Sequence, residues 1–570
     1  MSSNHSKRWL VGSLITPQAN EALAAFSPVI RQVLFNRGYA TDEEARLYMQ
    51  GEPSFNTSPF QMLGVPATVD RLKFALNHNE PIAIYGDYDV DGVTATALLV
   101  EALRALGGNV QPYIPNRFDE GYGLNKDALT SLKEEGVMLV ISVDCGIRSP
   151  DEALHARDIG LDLIISDHHQ PAVGDLPRAL AVVNPKQVND LYPDKDLAGV
   201  GVAYKIVQAL MESTGDDLEE FQTDALLDLV ALGTVADLAP LTGENRSLVR
   251  KGLRIIRETK RQGLFSLAAV SDLPLSRVTA TSIGFILGPR LNAAGRLESA
   301  LAAFDLLTTR DVKIAGELAQ QLNVQNRQRQ EITRKIQSEA EAIVLAEDSG
   351  ADLFFAAHPD FNAGVVGLAA SRLVETYYRP AVVGQITGET TRCSCRSIPE
   401  FHITEALDQC KELLIRHGGH AAAAGFTVRN ENLEALKLRL KSIAAEALHG
   451  KDLRQTLTAD IVLPLSDLNP DLLHRLEYLQ PTGYGNPEAL FISRNIRITN
   501  KRTVGADGKH LKLVVTDGRI TFDTIGFRLG HLLDELPAHV DILYAFESNE
   551  YNGRQSLQLN LKDVKPAEQS

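Results

Sequence analysis

Between residues 81 and 183 the chain alternates short, almost wholly apolar runs with longer amphipathic stretches. The runs at 81–85, 137–143, 161–165 and 179–183 read as strands, and 93–106 reads as a helix. Apolar runs with little alternation, separated by helices, predict a parallel sheet covered on both faces. Upstream, residues 20–50 predict short amphipathic helices, one opening on the capping box Thr41-Asp-Glu-Glu44. Residues 198–305 read as mostly helical. Residues 310–347 form one long polar helical stretch with no glycine between Gly316 and Gly350 and no proline. A second α/β pattern follows, with strands at 352–357 and 380–384 around a helix at 365–377. After about 450 the helical period fades into short strands at 511–515, 521–527, 541–545 and 556–561, the spacing of a small sandwich or barrel.

Length and charge add limits. A chain of 570 residues exceeds what one core holds, so several domains are expected. With 44% hydrophobic and 23% charged residues it is an ordinary globular composition, which excludes collagen-like, disordered and membrane-bundle classes. No apolar segment follows Met1 and no run approaches the roughly 18 apolar residues of a membrane span, so neither signal peptide nor transmembrane helix is expected. Four cysteines form no disulfide framework, and a reducing cytoplasm is the expected location. The net charge of −16 argues, at first sight, against a nucleic-acid partner.

The position of the acidic residues carries the chemistry. The first strand runs into Gly86-Asp87-Tyr-Asp89-Val-Asp91-Gly92, the second into Asp144-Cys-Gly146, and the third into Asp167-His168-His169. In a parallel sheet these carboxyl ends share one edge, where α/β proteins bind ligands. Asp237, in Ala236-Asp-Leu-Ala-Pro240, adds a carboxylate from a helix end. So many carboxylates in one place require a cation, and oxygen donors with one or two imidazoles suit Mn²⁺ or Mg²⁺. A cluster of this size can hold two ions, the arrangement used in phosphoester hydrolysis. An EF-hand is excluded, because the twelfth position from Asp87 is Leu98 and a strand precedes the loop. Gly199-x-Gly201 is a weak dinucleotide fingerprint, since Tyr204 stands at the third glycine position.

Asp167-His168-His169, with Asp87-Tyr-Asp89-Val-Asp91-Gly92 and Val143-Asp144-Cys-Gly146, resembles the DHH phosphoesterase superfamily. Further segments resemble its RecJ branch of single-strand-specific 5′→3′ DNA exonucleases: 197–204, 236–240, 287–296, 418–426 and 483–487. The resemblance implies an α/β fold: a DHH parallel-sheet core, a DHH-associated α/β domain joined by a long helix, and a C-terminal β-barrel of OB-fold type. The expected divisions are a helical segment at 1–50, the DHH domain at 51–308, the connecting helix at 309–348, the DHH-associated domain at 349–448 and the barrel at 449–570. It also implies metal ligands Asp89, Asp91, Asp144, His168 and Asp237 with Asp87 nearby, two Mn²⁺ or Mg²⁺ ions, and His169 at the scissile phosphate. Asp144, His168 and His169 are then the catalytic set.

Other residues are candidates for the nucleic acid. Gly418-Gly419-His420 lies between a helix expected over 404–416 and a short Ala-rich helix. Its glycines serve either as a phosphate-approaching N-terminus or as a C-cap of the preceding helix; the resemblance makes it a substrate-holding motif. Ser394 and Arg396 resemble a Ser-x-Arg pair that binds the DNA 5′ end, and Arg296 and Arg290 resemble end-binding arginines. Arg117, on the loop after a strand, can reach the DNA backbone. Two basic stripes, 246–261 and 494–512, offer a DNA path, with Arg497, Lys501 and Arg502 in the β-rich module.

These readings converge on a two-metal exonuclease that degrades single-stranded DNA 5′→3′ to mononucleotides in recombination and repair. By resemblance its partners are a single-strand-binding protein and repair helicases. No membrane partner is expected, and no heptad seam argues against a monomer. The competing readings are a DHH enzyme of small substrates, which would lack the basic C-terminal module, and a non-catalytic replication factor, which would lack the acidic ligands.

Overall fold

The computed structural model describes residues 7–116, 123–172, 174–214, 222–297, 299–551 and 554–567. Arg117 lies outside them. The chain forms two compact units, one built on Trp9–Gly295, Ser299–Leu322 and Leu457–Ser570, the other chiefly on Asn323–Thr456.

The first unit holds the expected parallel sheet, its strands ordered Val110–Tyr113, Ile82–Tyr85, Leu139–Val143, Asp162–Ser166 and Ala181–Val183. Every neighbouring pair is parallel. Period-two alternation sends successive side chains to opposite faces. Ile82, Ile84, Leu139 and Ile141 pack on the helices Val65–Asn77, Val90–Ala105, Gly199–Thr214 and Leu227–Ala236. Ala83, Tyr85, Val140 and Ile165 pack on Lys126–Glu134 and Pro150–Asp158. Both faces are therefore covered, which is why the strands show so little alternation in sequence.

The same unit carries a closed five-stranded barrel: Phe491–Val504, His510–Thr516, Thr521–Gly526, Arg554–Pro566 and His539–Tyr551, with the last returning to pair the first. Its core is shared with the N-terminal helices Pro28–Asn36 and Asp42–Gln50, since Ile30, Val33, Leu34 and Tyr48 join one buried cluster with Phe491, Leu513 and Tyr544. Thr41 caps the second of these helices as its sequence predicts, accepting from Glu44 N.

This junction corrects the reading of the stripe at 246–261. Arg246 is buried on the helix Gly243–Arg257, stacks 3.9 Å over the Tyr48 ring, and donates to the Tyr48, Tyr478 and Gln480 carbonyls. Arg250 donates to the Met49 carbonyl and Arg257 to that of Val278. Arg261 binds Asp228 and Glu101. These side chains are fasteners between elements. Only Arg254 and Lys260 of the stripe remain as plainly exposed charges without such a role among the described residues.

The 37-residue helix Val312–Asp348 leads into the second unit. There a mixed sheet runs Leu414–His420, Ala423–Arg429, Thr390–Arg396, Ala381–Ile386, Phe354–His358, with only the last pair parallel. Residues 404–416 do not form one helix: Ile403–Asp408 is helical and a strand begins at Leu414. No helix follows Gly418-Gly419-His420 either. These residues end one strand of a hairpin, and the alanines beyond turn back as the next, Gly418 opposite Gly425 and His420 opposite Ala423. Cross-strand pairing has overridden the helical preference of alanine.

Candidate metal centre

The first strand ends at Tyr85 and the backbone turns at once into the helix Val90–Ala105. Asp89 caps that helix, its Oδ1 accepting from Asp91 N at 2.9 Å and Gly92 N at 3.1 Å. A Cβ on Gly92 would stand 2.6 Å from Asp87 N and O, so only glycine allows the loop to close on the first helical turn. Asn292, on the helix Gly288–Leu297, accepts from Val90 N at 3.2 Å and fixes the same loop from outside.

Asp91 is fully buried. Its two oxygens accept from Gly199 N at 2.7 Å and Val200 N at 2.8 Å, the first amides of the helix Gly199–Thr214. Asp144 follows the second expected strand in a left-handed conformation, φ +61°, a strain that a site-bearing residue retains where its surroundings over-determine it. A Cβ on Gly199 would lie 2.8 Å from that of Asp144. Asp237 ends the helix Leu227–Ala236. The segment beyond it is held by the Gly483-Tyr-Gly-Asn-Pro487 loop, where Leu241 N donates to the Tyr484 carbonyl at 2.7 Å.

His168 Nε2 lies among three carboxylates: 3.1 Å from Asp144 Oδ1, 3.7 Å from Asp237 Oδ2 and 3.8 Å from Asp91 Oδ2. Neither Nε2 nor Asp144 Oδ1 makes a hydrogen bond, although both are buried. The ring is hydrogen-bonded to the Leu197 backbone, which leaves Nδ1 as the bonded nitrogen and Nε2 with its lone pair toward oxygen. Burial, with the neighbouring His169, pushes the His168 pKa down to about 3, so the imidazole is neutral. A lone pair facing carboxylate oxygens is repulsive unless a cation stands between them, and a neutral histidine oriented through its other nitrogen is the form that ligates metal.

The carboxylates carry the complementary strain. Burial and repulsion from Asp89 raise Asp91 to about 7; burial with Asp91 and Asp89 raises Asp237 to about 9; Asp144 is driven up by burial and by Asp91. Ligand atoms gather into groups of three within 4.8 Å: Asp87, Asp89 and Asp144; Asp91, His168 and Asp237; and Asp144, His168 and His169. The first two groups share no residue, and the third spans them through Asp144 and His168. The donor set therefore fits two hard divalent cations of the Mn²⁺ or Mg²⁺ kind.

Asp167 plays a different part. It accepts from Ile147 N, His168 N and His169 N, and its Oδ1 accepts the His169 Nδ1 proton. Burial is the largest single influence on Asp167 and opposes its charge, but the hydrogen bonds and charge of His169, with His168, together outweigh it and lower its pKa; at His169 burial is again the largest influence, and Asp167 together with Asp89 and Asp91 raises that pKa. Sequence reasoning placed Asp167 in the crevice without a role, and it passed over Asn292. The strand-end position marks the first; nothing local marks the second.

The remaining candidates are dispersed. Arg290 bonds back to the Ile286 carbonyl. In the second unit Arg296 donates to the Gly364 carbonyl, and Ser394 and Arg396 sit on the strand Thr390–Arg396. Gly367, in the first turn of the helix Val366–Tyr377, faces that pair: its Cβ position is 3.2 Å from Arg396 Nη2 and 3.5 Å from Ser394 Oγ. A guanidinium, a hydroxyl and a helix N-terminus together favour an anion. His420 is exposed at the hairpin end, and its ring accepts from Ala422 N. The thiols of Cys393 and Cys395 are buried, with pKa values raised by burial.

On the barrel, Arg497 and Arg502 are exposed and pair across to Thr516 and Lys512, on the outer face. Lys501 pairs with buried Leu513 and folds its ammonium onto the Leu533 and Leu536 carbonyls. It serves the barrel's own rim. Arg494 pairs with Asp541 at 2.6 Å.

Fold and site together define a metal-dependent phosphoesterase of the DHH type. The model of the DHH family N-terminal domain matches residues 81–234, the DHHA1 domain 350–446, and the RecJ OB domain 459–563. A single-stranded-DNA-specific exonuclease RecJ of Bacillus subtilis is 38% identical over 95% of this chain and 68% of its own length. Its counterpart in Salmonella typhimurium is 35% identical over 96% and 97%. The crystal structure of RecJ in complex with Mn²⁺ from Thermus thermophilus superposes with a TM-score of 0.84 at 30% identity, covering 99% of this chain and 80% of that one. The chain belongs to the RecJ family of exonucleases. No described helix is long and apolar enough to cross a membrane.

Proposed function

We propose that the protein hydrolyses single-stranded DNA from its 5′ end, releasing mononucleotides, in DNA recombination and repair. The observation that carries this reading is the pair of separate ligand groups, Asp87–Asp89–Asp144 and Asp91–His168–Asp237, spanned by Asp144 and His168. Divalent ions held there would supply Lewis-acid charge at the phosphate and a water acidic enough to attack near neutral pH. The chain's own residues do the rest. Asp89, fixed as a helix cap, and Asp91, fixed by two amides, hold the ligand loop still. Asp167 keeps His169 oriented and its proton in place, so that the imidazolium can meet the scissile phosphate. The P–O3′ bond of the terminal nucleotide breaks, and the remaining strand keeps a new 5′-phosphate.

Supporting the polarity are Ser394 and Arg396 beside a helix N-terminus, a place suited to a terminal phosphate, with Arg296 and the Gly418-Gly419-His420 hairpin assigned to the same substrate. Arg290 is assigned with Arg296 to the DNA end, and Arg117 to the DNA backbone. Arg497 and Arg502, on the outer barrel face, are assigned to the incoming strand. A single-strand-binding protein and repair helicases are proposed as partners, the cytoplasm as location, and a monomer as the working form.

The test uses single strands labelled at either end, with Mn²⁺. Early release of labelled mononucleotide from the 5′-labelled strand alone supports the reading; early release from the 3′-labelled strand, or cleavage of duplex at an equal rate, overturns it.

A further inference from the structure

A fourth strand reaches the same sheet edge as the acidic residues. Ala181–Val183 pairs in parallel with Asp162–Ser166, so its carboxyl end opens where Asp167, His168 and His169 lie. The next residue, Asn184, is fully buried and acts as a fork: its Nδ2 donates to the His169 carbonyl at 2.9 Å, and its Oδ1 accepts from Lys186 N at 2.8 Å. The backbone of Lys186 is thereby tied to the backbone of the histidine pair. Lys186 is half-buried two residues beyond Asn184, and its charge bears on both His168 and Asp237. Among the described residues no hydrogen bond or ion pair engages that ammonium. Lys195, on the same stretch of chain, is spent on the Asp190 carboxylate and carbonyl.

A cation placed beside a cation site weakens metal binding by Coulomb repulsion. Toward an anion that arrives once the metals are in place, the same charge is attractive. In hydrolysis of a phosphodiester, charge accumulates on the non-bridging oxygens as water adds, and a preorganised cation aimed there stabilises the transition state. A lysine supplies that as a point charge on a flexible stem.

We infer that Lys186 contacts a non-bridging oxygen of the scissile phosphodiester, as a further catalytic residue of the reaction proposed above, with Asn184 as its positioning residue. The inference rests on that proposed reaction.

The experiment compares wild type with Lys186→Met and Lys186→Arg, in full-length protein. Two readouts are needed: steady-state release of nucleotide from 5′-labelled single strands, and Mn²⁺ binding by calorimetry. The inference expects Lys186→Met to lower kcat about 100-fold, with KM changed little and Mn²⁺ bound as tightly as in wild type or more so. Lys186→Arg should recover part of the loss. Activity of Lys186→Met within about threefold of wild type would overturn the inference, as would a loss of activity that tracks weakened Mn²⁺ binding. Absence of nucleotide release by wild type itself would instead strike the proposed reaction.

Discussion

Asp167 Oδ1 lies 2.8 Å from His169 Nδ1, so the second histidine of the Asp-His-His triplet is held by the aspartate that opens it. The pair fits the roles proposed for the three residues: Asp167 orients, His168 ligates and His169 meets the substrate. Because Asp167 raises the His169 pKa, the protonated ring persists to higher pH than it would alone. In Asp167→Asn the amide keeps the shape and its oxygen can still accept from Nδ1, but the negative charge that favours the imidazolium is gone. The expected result is a kcat lowered about 100-fold, with the alkaline limb of the pH–rate profile moved to lower pH. A profile moved upward would contradict this role.

Metal and pH should be linked through stability. Asp91 and Asp237 hold their protons up to about 7 and about 9, through burial and mutual repulsion. Unfolded carboxylates release theirs near pH 4. Between these limits the ion-free folded chain binds more protons than the unfolded chain, so its stability falls as pH rises. Bound cations remove that penalty. Thermal melts should therefore show a Mn²⁺-induced increase that is larger at about pH 8.5 than at about pH 6.

Arg246 offers a test of what a basic residue is for. Its guanidinium serves three carbonyls and the Tyr48 ring at the junction of barrel, N-terminal helices and catalytic core. Arg246→Ala should cost on the order of 3 kcal/mol in unfolding free energy, since buried carbonyls lose their donors. The salt dependence of single-strand binding should stay as in wild type. An unchanged melt with weakened DNA binding would restore the surface-track reading.

That residue also marks where sequence reading stops. The parallel sheet and the acidic edge were legible because strand periodicity and strand-end position are local signals, whereas the C-terminal strands left sandwich and barrel open until the resemblance chose the barrel. The stripe at 246–261 has a local signal too, but burial depends on what packs against it, and the partners Tyr48 and Tyr478 lie about 200 residues away in either direction. The Gly418–Ala424 stretch misled for a related reason: alanine favours helix until a neighbouring strand, here Thr390–Arg396, offers it a ladder. Asp237 was legible as a carboxylate at a helix end, and its place among the ligands came from the resemblance, since it ends a helix rather than a strand. Asn292 was not legible at all, because its contact with Val90 is made across the fold.

The outer barrel face gives a quantitative expectation. If Arg497 and Arg502 each neutralise one phosphate, replacing both by alanine should reduce the slope of log affinity against log salt by about 1.4 for a single strand. Lys501→Ala should instead act on thermal stability, because its ammonium bonds the Leu533 and Leu536 carbonyls. An equal effect of all three on the slope would contradict this division.

The central claim is that Asp144 links two ion sites that together perform the hydrolysis. The direct measurement is the rate of nucleotide release from 5′-labelled single-stranded DNA by Asp144→Ala in saturating Mn²⁺, with folding checked by thermal melt. The account predicts a folded protein whose release rate falls at least about 1,000-fold, because Asp144 is a ligand of the first group and the carboxylate that joins it to His168 of the second. A folded Asp144→Ala protein that releases nucleotide at a rate near that of wild type would contradict it.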